Sequence, residues 1–298
     1  MKRREFLKKT AAGTVALSFS FSQWQVFAQS TDLPQAAFIT NGEPRPLARK
    51  ALEVLGGMQR FISQGDDVLI KPNMGWDRRP ELAANTNPDV MAELTKLSFE
   101  AGAASVKVLD FTCNEPRRCY RNSGIQAAVE AEGARVVHVR DSNFKPLALK
   151  GQALDEWPIY SDYLEADKVI NVPIAKHHGM ARVTLGLKNL MGVMGDNRGA
   201  IHRNFAVKMA DITQHIMPTL TVIDAYRMLM DNGPQGGNPN DVRLQRTMIA
   251  SPCTVSADYL GLELFGLKLE DVDYIKTAHD RGLAIYDLEN LDVRRVQL

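Results

Sequence analysis

Asp67-Val-Leu-Ile-Lys-Pro-Asn73 is the stretch from which the fold can be read, because an apolar run there meets a proline and then a polar residue. The run has the pattern of a buried strand, and Pro72 ends it. Residues 87–102 follow as a helix, with Asn87 as its N-cap and a proline in its first turn. Residues 105–110 form the next strand. Two strands joined by such a helix lie parallel in one sheet.

Strand and helix patterns continue to alternate along the rest of the chain. Further strands are predicted at residues 36–40, 135–139, 168–172, 220–224 and 247–250. Further helices are predicted at residues 47–58, 123–132, 205–216, 254–265 and 269–277. This order predicts an α/β fold, a single large domain whose mostly parallel sheet is covered by helices on both faces.

The N-terminus has the features of a twin-arginine export signal. Arg3 and Arg4 precede Phe-Leu, two lysines and an apolar stretch at residues 10–21. That stretch is shorter than the roughly 20 apolar residues of a membrane span, and small residues favour cleavage after Ala28. We therefore expect a signal peptide at 1–28, a folded domain at 29–298, contact with the twin-arginine export machinery and a periplasmic location. The alternative is a soluble protein with a basic amphipathic N-terminus.

The charge balance of the domain argues against two classes of partner. The whole chain has a formal net charge of +1, and residues 1–28 contain five basic residues and one acidic residue. The remainder is therefore about −3, which gives no general electrostatic reason to bind nucleic acid or anionic lipid. A second long apolar segment is also missing, so we expect no stable membrane span.

Three cysteines are too few for an iron–sulfur cluster held by four thiolates within one chain. Cys113 and Cys119 have five residues between them. In an oxidising periplasm they can close a small disulfide loop, and the alternative is two free thiols in a pocket.

Polar residues follow several of the predicted strands. Lys71 and Asn73 lie at the end of one strand, and Asp110 and Asp224 end two others. A charge at a strand end can simply mark the surface, but ligands in open α/β sheets bind at the carboxyl ends of the strands. The strand at residues 168–172 likewise leads into Lys176-His177-His178. We therefore expect these four strand ends to line one ligand-binding pocket.

Residues 176–203 form the densest polar segment, with three of the six histidines and five glycines. Lys188 lies inside an apolar run of this segment, so burial should lower its pKa and give it a defined partner. Asn189 is suited to orient it by a hydrogen bond, and Arg198 and Arg203 complete a set of ligand-binding candidates. Glycines here let backbone N–H groups approach an anion.

His177, His178 and His202 have three possible roles, namely metal binding, proton transfer and oxyanion binding. The alternative is a solvent-facing loop whose histidines are satisfied. We predict Lys188, His178 and His202 as catalytic residues and the three histidines as a tentative metal site. A second glycine cluster at residues 231–239 is either a turn or an anion-binding nest or lid.

Six short segments resemble the family called domain of unknown function 362. These segments are residues 68–73, 171–173, 176–177, 184–192, 223–225 and 233–234. The resemblance covers roughly residues 65–265, and Lys-Asn-Leu-x-Gly at 188–192 is its most specific part. Some members of the family carry a ferredoxin-like cysteine cluster, which this chain lacks.

The chain also has a distant similarity to lactate-racemase-type proteins. In those proteins a glycine-flanked lysine has a histidine on either side in the sequence, and the three serve a nickel-pincer cofactor and proton abstraction. Here His178 precedes Lys188 by 10 residues and His202 follows it by 14. The similarity implies a metal-containing cofactor as one option, although the residues do not specify a cofactor.

Two functions are compatible with these residues. The first is an enzyme that binds a small anionic molecule or a metal-containing cofactor at a Lys/His pocket and transfers a proton next to a carboxylate, as an isomerase or racemase does. The second is a periplasmic binding or accessory protein that captures a metal complex or an anionic metabolite without turnover.

Overall fold

The computed structural model describes residues 33–298, which form twelve strands and nine α-helices. The strands are β1 Ala36–Thr40, β2 Asp67–Pro72, β3 Ser105–Val108, β4 Arg135–Val136, β5 Phe144–Ala148, β6 Glu156–Tyr160, β7 Lys168–Val172, β8 Ile174–His178, β9 Arg182–Thr184, β10 Leu220–Leu229, β11 Val242–Ser251 and β12 Val293–Gln297. The helices are α1 Pro44–Val54, α2 Pro88–Glu100, α3 Pro116–Asn122, α4 Ile125–Ala131, α5 Ser161–Glu165, α6 Gly186–Asn189, α7 Phe205–Ile216, α8 Thr254–Glu263 and α9 Asp273–Asp280. The predicted export signal lies outside the described residues.

One large sheet organises the molecule, in the order β12-β1-β11-β10-β7-β2-β3-β4. The neighbours from β10 to β4 are parallel, as are β1 and β12, whereas β11 runs antiparallel to both β1 and β10. Strand β8 joins β10 in parallel and carries β9 as an antiparallel partner. The predicted α/β fold with a mostly parallel sheet is therefore confirmed.

Successive residues of a strand point to opposite faces of the sheet, and apolar residues on both faces are covered by helices. Val68 and Ile70 of β2 pack in one apolar cluster with Met91 of α2. Leu69, between them, packs in another cluster with Ile212 of α7. A third cluster packs α8 and α9 against β10 and β11. The sheet thus has a core on each face, and the strand ends are left for a site.

The start of α2 agrees with its sequence signals. The side chain of Asn87 accepts a hydrogen bond of 2.9 Å from the backbone N–H of Asp89, and Pro88 stands at the first helical position. An N-cap oxygen satisfies one of the amides that a helix start leaves unpaired. The predicted strand–helix–strand unit is confirmed here.

Several predicted boundaries are wrong, each for a local reason. The helix predicted at residues 123–132 is α4 at Ile125–Ala131, which begins only after Gly124 because that residue has a φ of +73°. The separate helix α3, which ends at Asn122, was not predicted. The strand predicted at residues 220–224 continues to Leu229, since its second half pairs with β11. The hairpins β8–β9 and β5–β6 and the edge strand β12 carry too few apolar residues to be recognised by alternation. No helix within residues 33–298 has the length and apolar character that crossing a bilayer requires.

Candidate functional site

Three lysine side chains are buried together at the carboxyl ends of the parallel strands. Lys71 ends β2 and Lys176 lies in β8, each only 1% exposed, and Lys188 in α6 is 6% exposed. We call these three residues the lysine cluster. Hydrogen bonds through Asn73 and Asn189 link Lys176 to Lys71, and Lys188 precedes Asn189 in α6. Besides burial, the positive charges of Lys188 and Lys71 lower the pKa of Lys176. The sequence placed Lys176 after one strand end of the expected pocket, but only Lys71 and Lys188 were predicted as binding or catalytic residues.

Among the partners that residues 33–298 provide, a carboxylate pairs with only one member of the cluster, Lys71. Its Nζ lies 2.9 Å from Oδ1 of Asp110, which is also buried. The ammonium group also donates to the carbonyl of Pro72 at 2.7 Å and to Oδ1 of Asn189 at 3.1 Å. Burial lowers the pKa of Lys71, and the charge of Asp110 opposes that shift. Oδ2 of Asp110 accepts the backbone N–H of Met74 at 2.6 Å, so the carboxylate is held in place.

Lys176 is held by neutral acceptors. Its Nζ donates to Oδ1 of Asn73 at 3.1 Å and to the carbonyl of Ala84 at 2.6 Å, and it lies 5.8 Å from the ring centre of Trp76. No carboxylate within residues 33–298 forms an ion pair with it. Burial accordingly lowers the pKa of Lys176 to about 7. At neutral pH this residue is therefore poised between ammonium and amine.

Two asparagines join Lys176 to Lys71. Nδ2 of Asn73 donates to Oδ1 of Asn189 at 3.0 Å, the same oxygen that accepts from Lys71. Nδ2 of Asn189 donates in turn to Oδ1 of Asn171 at 2.9 Å. As ammonium groups the two lysines can only donate, so the network orients both amide oxygens toward them. The structure thus brings Asn73 and Asn189, both predicted for this site, beside the two lysines.

Lys188 is positioned by a buried carboxylate that the sequence did not reveal. Asp258 of α8 accepts the backbone N–H of Gly186 at 2.6 Å and of Leu187 at 2.9 Å, and so caps the short helix α6. A Cβ atom at Gly186 would lie 2.7 Å from Oδ1 of Asp258, so only glycine allows this approach. Burial raises the pKa of Asp258 to about 7. The residue lies in an apolar helical run, and no local motif marks it.

The ammonium group of Lys188 faces a histidine and an aromatic ring. Its Nζ lies 3.3 Å from Nε2 of His202, 3.4 Å from Sδ of Met191 and 4.7 Å from the ring centre of Phe205. Burial lowers the pKa of Lys188 to about 8. Lys188 and His202 are thus a hydrogen-bonded pair, and part of Lys188 is a neutral amine near neutral pH.

His178 and His202 are stacked beside Lys188 with ring centres 5.9 Å apart. Nδ1 of His178 accepts the backbone N–H groups of Met180 and Ala181, each at 3.2 Å, so its proton is assigned to Nε2. Burial, followed by the charge of Lys188, lowers the pKa of His178 to about 3. Burial also lowers the pKa of His202. Both imidazoles are therefore neutral at pH 7, and His178 is a hydrogen-bond donor rather than a base.

His177 does not join the other two histidines. Its Nδ1 accepts the backbone N–H of Gly233 at 3.1 Å, in the second glycine cluster. Adjacent side chains on strand β8 point to opposite sides, which separates His177 from His178. Within the part of the chain that the structure describes, no three His, Cys, Asp or Glu side chains are grouped to hold a metal ion. The tentative metal site of His177, His178 and His202 is therefore not assembled.

The close packing around Gly192 explains why the Lys-Asn-Leu-x-Gly segment ends in a glycine. A Cβ atom there would lie 1.8 Å from Oδ1 of Asp110 and 2.6 Å from Nζ of Lys71. The carbonyl of Gly192 also accepts the backbone N–H of Phe111 at 2.7 Å. Any side chain at this position would displace the ion pair, so the glycine lets the backbone form one wall of the site.

The two predicted arginines have different positions. Arg198 donates to the carbonyls of Phe111 at 2.7 Å and Thr112 at 2.9 Å, and lies 4.1 Å from the ring centre of Phe111. Its charge lowers the pKa of Lys71 and Lys188, so it adds a fourth cation near the cluster. Arg203 is exposed and is not brought into the site.

Asp224 is not a ligand-binding residue of this pocket, contrary to the prediction. Strand β10 continues past it, so Asp224 lies within the strand and is fully buried. Its two oxygens accept the backbone N–H groups of Asn87 at 2.7 Å and Tyr226 at 3.0 Å. Burial raises its pKa to about 6. The carboxylate joins the start of α2 to the sheet.

The predicted disulfide between Cys113 and Cys119 is wrong, because both are free thiols. Helix α3 begins between them and turns Cys119 into the core, where its Sγ donates to the carbonyl of Gly75 at 3.5 Å. Burial raises the pKa of Cys119 to about 11. Cys113 is exposed in the preceding loop, and a thiolate there would raise the pKa of Lys176 and Lys188. The free-thiol alternative is the one observed.

Comparisons with known proteins support the family resemblance. The model of the family described as domain of unknown function (DUF362) matches residues 68–263, more than half of the chain. The Thylakoid-associated protein sll1697 of Synechocystis sp. is 29% identical over 227 residues, which cover 74% of this chain and 69% of that protein. The lactate racemase apoprotein of Thermoanaerobacterium thermosaccharolyticum superposes on 78% of this chain with a TM-score of 0.47 and 16% identity, and the match spans 57% of that protein.

Proposed function

The chain belongs to the DUF362 family, and we propose that it binds a small anionic molecule at the lysine cluster. One observation carries this proposal. Three ammonium groups, each at most 6% exposed, have a single carboxylate partner, Asp110, among the described residues. A buried charge without a counter-ion is strongly destabilising, and an anionic ligand would supply the missing negative charge.

We further propose that the bound molecule is a carboxylate from which the site moves a proton. With a pKa of about 8, part of Lys188 is a neutral amine at pH 7–8 and can accept a proton from the carbon next to the carboxylate. The electron pair of the broken C–H bond would spread onto the carboxylate, where Lys71 and Lys176 stabilise the extra charge. Lys188, oriented by its 3.3 Å contact with His202, holds the abstracted proton as an ammonium group and returns it to carbon.

Exchange of a carbon-bound proton with solvent tests this proposal. The protein would be incubated in D2O at pH 8 with a panel of small carboxylic acids that carry a hydrogen at C2, and loss of the C2–H signal would be followed by proton NMR. We expect exchange by the wild type and none by Lys188→Met. Lys276→Met is the matched control, because the Lys276 side chain is 43% exposed and, among the described residues, forms an ion pair only with Asp280 of its own helix.

The outcomes separate the two candidate functions. Exchange that survives Lys188→Met would refute the proton-transfer role. Saturable binding of a carboxylate without exchange would favour the binding or accessory function, and absence of anion binding by the wild type would refute both.

We also propose export by the twin-arginine route to the periplasm, on the motif at Arg3 and Arg4. Replacing both arginines by lysine keeps the charge, and should leave the protein in the cytoplasm of its own cells. Immunoblots of periplasmic and cytoplasmic fractions would show this, and unchanged export of the doubly substituted protein would contradict it. The relative from Synechocystis is named for an association with thylakoids, so membrane fractions should be probed as well.

A further inference from the structure

A cavity lined by arginines lies in the loop that follows β2, apart from the lysine cluster. Its volume is about 260 Å³. The lining residues are Asp77, Arg78, Arg79, Leu82, Asn122 and Gly237. We call it the arginine cavity. None of the three clustered lysines lines it, so its charge needs a separate explanation.

The one carboxylate in its wall is already occupied. Oδ2 of Asp77 lies 2.6 Å from a terminal nitrogen of Arg118, and Oδ1 accepts Nδ2 of Asn122 at 2.5 Å. Asp77 therefore does not neutralise the two arginines of the lining. Neither Arg78 nor Arg79 forms an ion pair with any residue between 33 and 298, so the cavity carries an excess of positive charge.

Arg78 presents an unused donor. Its Nη1 donates to the carbonyl of Asp77 at 3.0 Å, whereas its buried Nε has no hydrogen-bond partner in the described part of the protein. Buried N–H groups are almost always paired in folded proteins, so this Nε calls for an acceptor that residues 33–298 do not supply. Guanidinium groups bind phosphate and carboxylate through parallel N–H donors.

The second glycine cluster, at residues 231–239, supplies the opposite wall. A Cβ atom at Gly237 would lie 3.4 Å from Nη2 and 3.5 Å from Nε of Arg78, and its φ of +134° favours glycine. The backbone of Gly237 thus lies against the guanidinium group and leaves room that a side chain would take. The anion-binding interpretation of this cluster is compatible with that position.

The loop that carries Arg78 is preformed. Asn85 is 1% exposed, and its Oδ1 accepts the backbone N–H of Trp76 at 3.0 Å. Its Nδ2 donates to the carbonyls of Trp76 at 2.9 Å and Arg78 at 3.1 Å. The buried asparagine therefore fixes the backbone on which the arginine stands, so little ordering is needed when a ligand enters.

We propose that the arginine cavity is a second anion-binding site, which takes a phosphate or carboxylate group on Arg78 and Arg79. Its volume lies just below the usual range for ligand pockets, about 300 to 1,000 Å³, so it suits a small oxyanion or the charged end of a larger molecule. The proposal does not depend on the function proposed for the lysine cluster.

Isothermal titration with inorganic phosphate tests the site. The wild type should bind two phosphates. Arg78→Gln should lose one of them, with affinity weakened by at least about tenfold, because two charge-assisted hydrogen bonds disappear. Arg117→Gln, which removes an exposed charge of the neighbouring helix α3, should change the affinity less than about twofold. An equal effect of both substitutions would overturn the proposal, since it would reflect net charge alone.

Lys188→Met distinguishes the two sites. If the Lys188→Met protein still binds one phosphate, and Arg78→Gln abolishes that binding, the arginine cavity is supported. This holds even where Lys188→Met changes nothing and the proposal for the lysine cluster fails. A single phosphate that depends only on Lys188 overturns the second site. Circular dichroism shows whether Arg78→Gln folds. If it does not, a crystal structure of the wild type with phosphate tests the site instead, and absence of the anion at Arg78 refutes it.

Discussion

Removing either partner of the Lys71–Asp110 pair should strongly destabilise the fold. Both side chains are buried, at 1% and 4% exposure, with Nζ and Oδ1 2.9 Å apart. Two unit charges at that distance attract by about 6 kcal/mol at an effective dielectric constant of 20. Breaking a buried pair typically costs about 3–5 kcal/mol, because the remaining charge stays desolvated. We expect Asp110→Asn and Lys71→Met each to lower the free energy of unfolding by about 3 kcal/mol.

The double substitution should cost less than the sum of the two single ones. It leaves no charge in the pair, so a coupling energy of about 2 kcal/mol or more is expected from a double-mutant cycle. Urea unfolding at pH 7, followed by circular dichroism, gives the four free energies. Additive effects, with a coupling below about 0.5 kcal/mol, would refute the view that the two charges stabilise each other.

The pH dependence of Asp110→Asn gives a second check. Burial already lowers the pKa of Lys71 in the folded protein below its ordinary value of 10.5, and loss of Asp110 should lower it further. Between the folded pKa and 10.5 the unfolded chain binds more protons, so stability rises with pH in that window. The penalty of Asp110→Asn should therefore be smaller at pH 9.5 than at pH 7. A penalty that is constant or grows with pH would contradict a charged Lys71.

Two further predictions follow from buried contacts. Asp258→Asn removes the cap of α6 and should weaken the Lys188-dependent binding of phosphate by about tenfold, as measured by titration calorimetry. The control is Asp224→Asn, which changes an equally buried cap elsewhere and should destabilise the protein without weakening this binding. An equal loss of binding in both variants would refute a positioning role for Asp258. In the native protein Cys113 should react with a thiol reagent within minutes, whereas Cys119 should react only after unfolding. Peptide mass spectrometry can measure the labelling of each cysteine, and equal labelling would contradict their different burial.

Local sequence signals predicted the parts of the fold that depend on local chemistry. Asn87 and Pro88 start α2 because a side-chain cap and a missing N–H are properties of neighbouring residues. Strand β8, which carries Lys176, was not predicted, because its pairing with β10 comes from residues about fifty positions away. Alternation within five residues, of which three are polar, cannot report such a partner.

Site residues could be predicted where a polar residue ends a strand, but not where a polar residue is buried within a strand or a helix. Lys71 and Asp110 follow two adjacent parallel strands, so their meeting follows from topology. Asp224 has the same pattern but caps backbone amides, because β10 runs on beyond it. Asp258 lies on a helix with apolar neighbours, and only the three-dimensional packing brings it beneath Lys188. Cys113 and Cys119 differ in burial because a helix begins between them.

Proton uptake on anion binding is the measurement that bears on the lysine cluster itself. At pH 8 Lys176 is mostly neutral and Lys188 is about half neutral, from pKa values of about 7 and about 8. An anion that pairs with both should raise both pKa values, so the affinity should fall as pH rises through 8. Titration calorimetry with phosphate in buffers of different ionisation enthalpy should give an uptake of about one proton per bound anion by the wild type. No net uptake, or the same uptake by the Lys176→Met/Lys188→Met double variant, would contradict an anion site built on buried lysines.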